Sequence, residues 1–528
     1  MGNENSNKPC QCGSLKKYKK CCGHYSKANS RSIPPEVEAA FRKMHEEHHV
    51  KEQIRIQQQG KGKPIITEMF QGNRLIAVRN RVYHSGSFRT FPDFLNTYML
   101  DIFGRDWFST AAKDGELEHP IKIWKSIVTK QWQAGTDVEG FPQLTSIDST
   151  GALKCLVGLA YSLFLIDQNS ELQDHLIKRL KDPNNFQGAY YESIVINCLV
   201  RAGLEIELED EQNNSFKHCE LYAVSKETNQ RYSIEAKARG LKGVLGKIDG
   251  PSPGGDPTIQ LTKHINAALK KPSENAQRII FVDLNHEDSN PSWAERAGEK
   301  LEQKEDDLLD GVQAYILVTN MNFHYHLENT LNSPSGFAHG LGIYDFARKG
   351  PITLREYYHQ RKKHADIHKV LENIMNYPNI PQTFDGSMVS DTFESSNSIK
   401  IGKEYFFDSI GKKARVTTAT VSEEEKLMYI GTDQGHVLTK AMSETQLEDF
   451  RNHKDYFFGT YLEHNKPAKD IFDFFESMVK IHMKWPLEAL HNQINMFPDK
   501  ESLMKLEHED LVITYAERLA HQTYNIRK

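Results

Sequence analysis

The chain has 528 residues, several times the usual domain size of about 100 to 150 residues, so we expect two to four domains with hydrophobic cores. Hydrophobic residues make up 38% of it and aromatic residues 10%, which excludes an intrinsically disordered protein. The sequence has no 18-residue apolar run as a membrane span needs, and its N-terminus is polar, with cysteines where a signal peptide would have its apolar stretch. We therefore expect a soluble, cytoplasmic protein with no membrane partner.

Charge is unevenly distributed along the chain. The net charge is −5, but residues 1–63 contain 13 Lys or Arg and 6 Asp or Glu, so they carry +7 and the rest carries −12. A polyanion attracted by simple electrostatics should therefore first meet the N-terminal arm. Four of the seven cysteines fall within 13 residues, which is not typical of a secreted disulfide framework.

The sequence predicts five segments in chain order. They are a metal-binding module in 1–25, a mixed strand and helix domain in 36–180, an α/β core in 186–330, a helix and linker in 340–398, and a small β region followed by helices in 399–528. In the second segment, the alternation between Pro64 and Gly86, as from Arg74 to Tyr83, predicts two strands, and residues 91–133 and 151–180 predict helices. The turn signal at Asp182-Pro183 indicates the next boundary.

The α/β core is the most informative segment. Its predicted elements are a helix at 186–202 capped by Gly203, strands at 204–209, 216–224 and 231–238, a helix at 258–270, and strands at 278–284 and 314–319. The glycine- and proline-rich segment 250–255 is either a flexible connector, which we favour, or a substrate-facing loop.

Four cysteines near the N-terminus have the spacing of a zinc site. Cys10 and Cys12 form one pair, and Cys21 and Cys22 form a second pair after eight residues. Zinc binds thiolates tetrahedrally, and two close pairs joined by a short loop can complete such a site. With four protein ligands no position remains for water, so this zinc would be structural.

The segment from Pro9 to Gly23, with its Gly13-Ser14 turn and basic run, closely resembles the SEC-C zinc motif. The resemblance implies that all four cysteines bind zinc. The lysines between the two pairs are either a solvated face of the module, which we favour, or a contact surface for nucleic acid, a ribosome or an acidic partner.

Two carboxylates are predicted to meet on one face of the core. On strand 231–238, Glu235 and Lys237 face one side, and Tyr232, Ile234 and Ala236 face the other. If the loop 225–230 closes symmetrically, paired residues sum to 455, which sets Glu220 opposite Glu235. Like charges in that position are destabilising unless a cation bridges them.

Magnesium is the cation that such an arrangement favours. It takes oxygen ligands and keeps several waters, so Glu220, Glu235 and the carbonyl of Ala236 would suit it. The ammonium of Lys237 could then position or help deprotonate the attacking water and stabilise charge on a phosphoryl group. These residues predict phosphodiester hydrolysis.

An acidic residue followed by Glu-x-Lys on the next strand, within a helix-strand-strand-strand-helix-strand order, resembles the PD-(D/E)xK nuclease superfamily. The resemblance implies a restriction-endonuclease-like αβββαβ core with Glu220, Glu235 and Lys237 as catalytic residues. It also assigns Glu192 on the first helix to a second metal or to supporting a ligand. For the polar residue on the second helix, Gln260 is the candidate and Lys263 the reserve.

A purely structural role stays open for these residues. The hairpin could face solvent, with ordinary cross-strand pairs between Glu and Lys. Glu-x-Lys also recurs at Glu302 and Glu424, in stretches that predict charged helices. The main hypothesis is a Mg²⁺-dependent nuclease, with DNA favoured over RNA, acting in restriction, phage defence or repair, and homo-oligomeric if it cuts both strands. The alternative is a non-catalytic adaptor that binds a protein, ribosome or nucleic acid through its zinc module.

Overall fold

The computed structural model describes Lys17, Glu52 and residues 55–526, apart from 112–117, 139–140, 172–173, 209–220, 274, 289–291, 309–310, 331–333, 347–351, 386–398, 402–403, 453–456, 459–467, 469, 484 and 496. The chain divides into two compact units, Met1–Ile54 and Arg55–Lys528, and the α/β core belongs to the second. The predicted zinc ligands Cys10, Cys12, Cys21 and Cys22 and the predicted metal ligand Glu220 lie outside the described residues.

The second unit begins with a three-stranded antiparallel meander. Its strands are β1 (Ile66–Phe70), β2 (Asn73–Val78) and β3 (Arg81–Ser85). The sequence predicted two strands here, and that prediction was wrong. Tight turns divide the segment twice, because Gln71, Gly72 and Arg79 all take positive φ, at 48°, 77° and 51°.

Helices dominate the next 100 residues, as predicted. They are α1 (Phe91–Phe103), α2 (Arg105–Ser109), α3 (Pro120–Ala134), α4 (Gly151–Asn169) and α5 (Asp174–Lys181), with the strand pair β4 (Thr136–Val138) and β5 (Phe141–Ser146) between α3 and α4. In the described part of the chain, α4 alone is long and apolar enough to cross a membrane, and 89% of its apolar window is buried inside the protein. It packs beside the next long helix as a core helix would.

Helix α6 (Pro183–Ala202) begins at the predicted boundary. The Asp182 carboxylate accepts a hydrogen bond from the backbone N–H of Asn184 at 3.1 Å, and Pro183 occupies the first turn, so the turn signal is a helix N-cap. Gly203 ends the helix with a left-handed φ of 97°, as predicted. Tyr190, Tyr191 and the aliphatic residues of α6 are buried against α4 and the sheet.

A six-stranded sheet follows α6. Its strands are β6 (Leu204–Leu208), β7 (Leu221–Ser225), β8 (Arg231–Ala238), β9 (Gln277–Asp283), β10 (Ala314–Asn320) and β11 (Ser335–Leu341), in the spatial order β11-β10-β9-β8-β7-β6. Strands β6 to β8 are antiparallel, β8 to β10 are parallel, and β11 is antiparallel to β10. Helix α7 (Leu261–Leu269) links β8 to β9, and α8 (Ser292–Asp306) links β9 to β10. The predicted order of helix, three strands, helix and strand is confirmed.

The register of the β7–β8 hairpin is also as predicted. Leu221 pairs with Ile234 and Val224 pairs with Arg231, and each pair sums to 455. The turn is closed by a hydrogen bond of 3.0 Å from the N–H of Ser225 to the carbonyl of Gln230. The predicted partner of Glu235 is outside the described residues, but the register on which that prediction was based is confirmed.

The two faces of the sheet have separate hydrophobic cores. Tyr232 and Ile234 belong to the core that contains α4 and α6. Ile280 and Val282, which pair with Glu235 and Lys237, belong to the core formed with α7 and α8. Glu235 and Lys237 therefore lie on the α7 face, and the predicted alternation along β8 is confirmed.

The C-terminal part contains a second sheet and further helices. Where one helix was predicted at 354–376, α9 (Leu354–Lys363) and α10 (Ala365–Met375) are separated at His364. Strands β12 (Glu404–Phe407), β13 (Lys412–Ser422), β14 (Leu427–Thr432) and β15 (Val437–Ala441) form an antiparallel sheet, followed by α11 (Glu444–Asn452), α12 (Ile471–His482), α13 (Leu487–Ile494), α14 (Lys500–Leu503) and α15 (His508–Ile526). The small β region and the helical tail agree with prediction.

Candidate active site

Glu235 is a buried carboxylate held by two lysines. It lies in the middle of β8 and is 4% exposed. The Lys237 ammonium lies 2.9 Å from Oε2. The Lys271 ammonium donates a hydrogen bond of 2.9 Å to Oε2, and it also lies 2.8 Å from Oε1 without hydrogen-bond geometry. Burying a carboxylate is costly unless it is paired, and these two cations provide the pairing.

The sequence prediction missed Lys271. It follows α7, and the crossover from β8 to β9 brings it back over the sheet to Glu235. A lysine after the last turn of a helix ordinarily indicates only a favourable interaction with the helix dipole. The sequence therefore offers no local signal for its contact with a residue 36 positions earlier.

His264 completes the α7 side of the site. It is partly buried, and its Nε2 has no hydrogen-bond partner among the described residues. Burial lowers the pKa of His264, and the neighbouring charges of Lys237 and Lys263 lower it further. We therefore expect a neutral imidazole beside Lys237 at neutral pH.

Gln260, the predicted polar residue of the second helix, is the N-cap residue of α7, one turn before His264. Its backbone carbonyl accepts the N–H of His264 at 3.0 Å. Lys263, the reserve candidate, is exposed. The predicted catalytic role of Gln260 stays a prediction.

Glu192 and Ala236 lie on the other side of the sheet. Helix α6, which carries Glu192, packs on the face opposite Lys237, and the Glu192 carboxylate is 2.7 Å from Nη1 of Arg179. The side chain of Ala236 packs against the same core. A role for Glu192 with a second metal, and for the Ala236 carbonyl with the first, stays a prediction.

Buried polar side chains gather where β9 and β10 end. The Asp283 carboxylate accepts hydrogen bonds of 2.9 Å from Thr319 Oγ1 and from the N–H of Met321, and Tyr191 OH lies 2.8 Å from the Thr319 hydroxyl. Burial raises the pKa of Asp283 to about 6, against these stabilising hydrogen bonds. This cluster was not predicted, because polar residues at the ends of apolar strands resemble ordinary loop residues.

The donors around Glu235 can be compared with the needs of Mg²⁺. That ion commonly takes one or two carboxylates and several waters. Glu235 provides one carboxylate, and Glu220, which the sequence predicts to provide another, lies outside the described residues. The residues at hand therefore fit Mg²⁺ if Glu220 contributes. Among the described residues, which include neither Glu220 nor the four N-terminal cysteines, no group of three or more His, Cys, Asp or Glu could hold a metal.

No family model, no curated protein and no solved structure matches the chain. We therefore infer the chemistry from the geometry of the site. A buried carboxylate between two ammonium groups, beside a neutral histidine, is suited to binding a cation and an anionic substrate together.

Proposed function

We propose that the chain is a Mg²⁺-dependent nuclease of PD-(D/E)xK type that hydrolyses phosphodiester bonds, with DNA favoured over RNA. One observation carries the proposal: Glu235 and Lys237 share the α7 face of β8, in a hairpin whose described pairs follow the predicted register. The order of elements around them supports it independently. The N-terminal cysteines would add a structural zinc module of SEC-C type.

Each residue of the site has a distinct role in this proposal. Glu235, with Glu220, would hold Mg²⁺, which when bound neutralises phosphate charge and lowers the pKa of a water ligand. Lys237 would hold the attacking water in place and stabilise the charge that develops on the phosphoryl oxygens. Lys271 would orient Glu235, because its ammonium contacts both carboxylate oxygens.

The charges around Glu235 favour a nuclease over an adaptor with a degenerate core. Such a core needs no cations at this position, and an apolar filling of the same volume would be at least as stable. The described site instead has the ammonium groups of Lys237 and Lys271 around one carboxylate. Ammonium groups at this position attract the phosphates of a nucleic-acid backbone.

The test is cleavage of labelled single- and double-stranded DNA and RNA by the purified full-length chain, with Mg²⁺, Mn²⁺ or EDTA. We expect metal-dependent cutting that Glu235→Gln and Lys237→Ala abolish. Glu302→Gln is the matched control, since it alters the same Glu-x-Lys motif on helix α8 and should cut as wild type does. If no substrate is cut, or if Glu235→Gln cuts as fast as wild type, the proposed active site is wrong, and the adaptor hypothesis becomes the better one.

A further inference from the structure

Arg239 directly follows β8 and lies two residues beyond Lys237. Its backbone N–H donates 2.9 Å to the carbonyl of Asp283, so the pairing between β8 and β9 continues to this residue. Side chains alternate along an extended strand, which puts Arg239 on the face of Lys237, about 7 Å farther along. Positive charges therefore continue along this face past the candidate active site.

The Arg239 guanidinium is buried with little to pair it. The residue is 8% exposed, and Nη2 donates a hydrogen bond of 2.8 Å to the carbonyl of Gly254. Nη1 is buried and has no hydrogen-bond partner among the described residues, and no carboxylate in that part of the chain forms an ion pair with Arg239. The carboxylate of the neighbouring Asp283 is directed at Thr319 and Met321. A buried arginine without an anion is unusual, because its desolvation is not compensated.

Residues 241–256 form a loop over Arg239 that is anchored at both ends and exposed between them. At one end, Gln187 of α6 exchanges hydrogen bonds of 3.0 Å with the backbone of Leu241. At the other end, Asp256 accepts from Thr258 and from Lys300. Residues 248–255 between these anchors are exposed, and Gly254, at a φ of 113°, has open space where a side chain would be.

This arrangement lets an anion reach the guanidinium. Lifting the exposed part of the loop breaks two described hydrogen bonds, from Arg239 to the carbonyl of Gly254 and from the N–H of Lys242 to the carbonyl of Pro251, while both anchors can stay in place. Once exposed, the guanidinium offers a planar pair of N–H donors that matches a phosphate group.

We propose that Arg239 and loop 248–255 bind a backbone phosphate of a nucleic-acid strand, next to the phosphate at Lys237. The substrate class rests on the proposed nuclease function, whereas the need for an anion rests on the unpaired guanidinium. Lys237 and Arg239 are two residues apart in extended backbone, about 7 Å, and this spacing suits successive phosphates of an extended nucleic-acid strand. The segment 250–255 is on this proposal a substrate-facing loop, the less favoured of the two sequence interpretations.

Binding can be measured without cleavage, by fluorescence anisotropy of a labelled DNA oligonucleotide in EDTA over a series of salt concentrations. We expect Arg239→Met to weaken binding about tenfold and to reduce the slope of log affinity against log salt by about one. Its thermal midpoint should equal or exceed that of wild type, because the variant removes an unpaired buried charge. Lys242→Met, an exposed change on the same loop, is the matched control for general loss of charge and should have a smaller effect.

If Arg239→Met binds the DNA oligonucleotide as tightly as wild type does, the proposal is overturned. If that variant unfolds, Arg239→Lys is decisive, since it keeps the charge but loses the planar donor pair. If Arg239→Lys has the thermal midpoint of wild type, weaker binding of the oligonucleotide by this variant supports the phosphate site. Unchanged binding overturns it.

The nuclease activity and the phosphate site at Arg239 can be disproved independently of each other. If wild type binds DNA through Arg239 but cuts nothing, the nuclease is wrong and the phosphate site stands. If wild type cuts and Arg239→Met binds normally, the nuclease stands and the phosphate site is wrong.

Discussion

Two buried carboxylates lie at strand β8, Glu235 within the strand and Asp366 packed against it. Their hydrogen-bond and ion-pair partners are of different chemical types. Asp366 of α10 is 5% exposed and meets the β7–β8 hairpin near the start of β8. It accepts hydrogen bonds of 3.0 Å from Ser225 Oγ, 2.9 Å from Thr228 Oγ1 and 3.0 Å from Tyr232 OH. Three neutral hydroxyl donors thus hold the helix and the hairpin together.

Glu235 is equally buried but is surrounded by the ammonium groups of Lys237 and Lys271. Hydroxyl donors fix a carboxylate and satisfy it, which is what a structural contact requires. Ammonium groups bring charge that can be exchanged for a metal ion or shared with a phosphate. The comparison separates a carboxylate that joins elements from one that is available for chemistry.

The largest expected effect is on cleavage. Glu235→Gln keeps the size of the side chain but removes the charge that would hold Mg²⁺, so we expect the cleavage rate to fall about 10³-fold. Asp366→Asn, the matched change at the other carboxylate, should reduce the rate less than about threefold, because it lies away from the metal ligands. The measurement is single-turnover cleavage at equal folded fraction, checked by circular dichroism. Equal losses in both variants would remove the distinction between the two sites.

Asp366 should matter more than Glu235 for stability. Asp366→Ala leaves three buried hydroxyl groups without their acceptor, so we expect the free energy of unfolding to fall by about 3 kcal/mol. Tyr232→Phe removes one donor only and should cost about 1 kcal/mol. Urea denaturation followed by tryptophan fluorescence provides both values. If Asp366→Ala is as stable as wild type, the three hydrogen bonds have no structural role.

The position of Glu235 on the sheet depends on local rules and could be predicted from the sequence. The alternation of side chains and the symmetric loop gave both the facing of Glu235 and the register of β8, because both follow from residues close in the chain. The contacts of Lys271 and Asp366 could not be predicted, since each joins β8 or its hairpin to an element at least 36 residues away. Chain crossovers and helix packing determine such pairs, and neither leaves a periodic pattern in one sequence.

A third buried carboxylate, Asp283, provides a pH test. Burial raises its pKa to about 6 in the folded chain, from an ordinary value near 3.9 when unfolded. The folded state then binds more protons between these values, so stability should fall as pH rises from about 4 to about 6, by about 3 kcal/mol in total. Asp283→Asn imitates the protonated acid and should remove this part of the pH dependence. Identical pH profiles of unfolding for wild type and Asp283→Asn would show that the acid is not perturbed.

The smallest effect distinguishes the two lysines around Glu235. Lys271→Gln removes one positive charge from the carboxylate that would bind Mg²⁺, so Mn²⁺ or Mg²⁺ affinity measured by calorimetry should rise about fivefold. Lys237→Gln should raise metal affinity by a similar factor, because its ammonium is equally close to Glu235. Their cleavage rates at saturating metal should nevertheless differ, since Lys237 is proposed to act on the water and the phosphoryl group, whereas Lys271 orients Glu235. A Lys271→Gln variant that loses as much rate as Lys237→Gln at saturating metal would instead make Lys271 a catalytic residue. Unchanged metal affinity in both variants would show that Glu235 is not the site of metal binding.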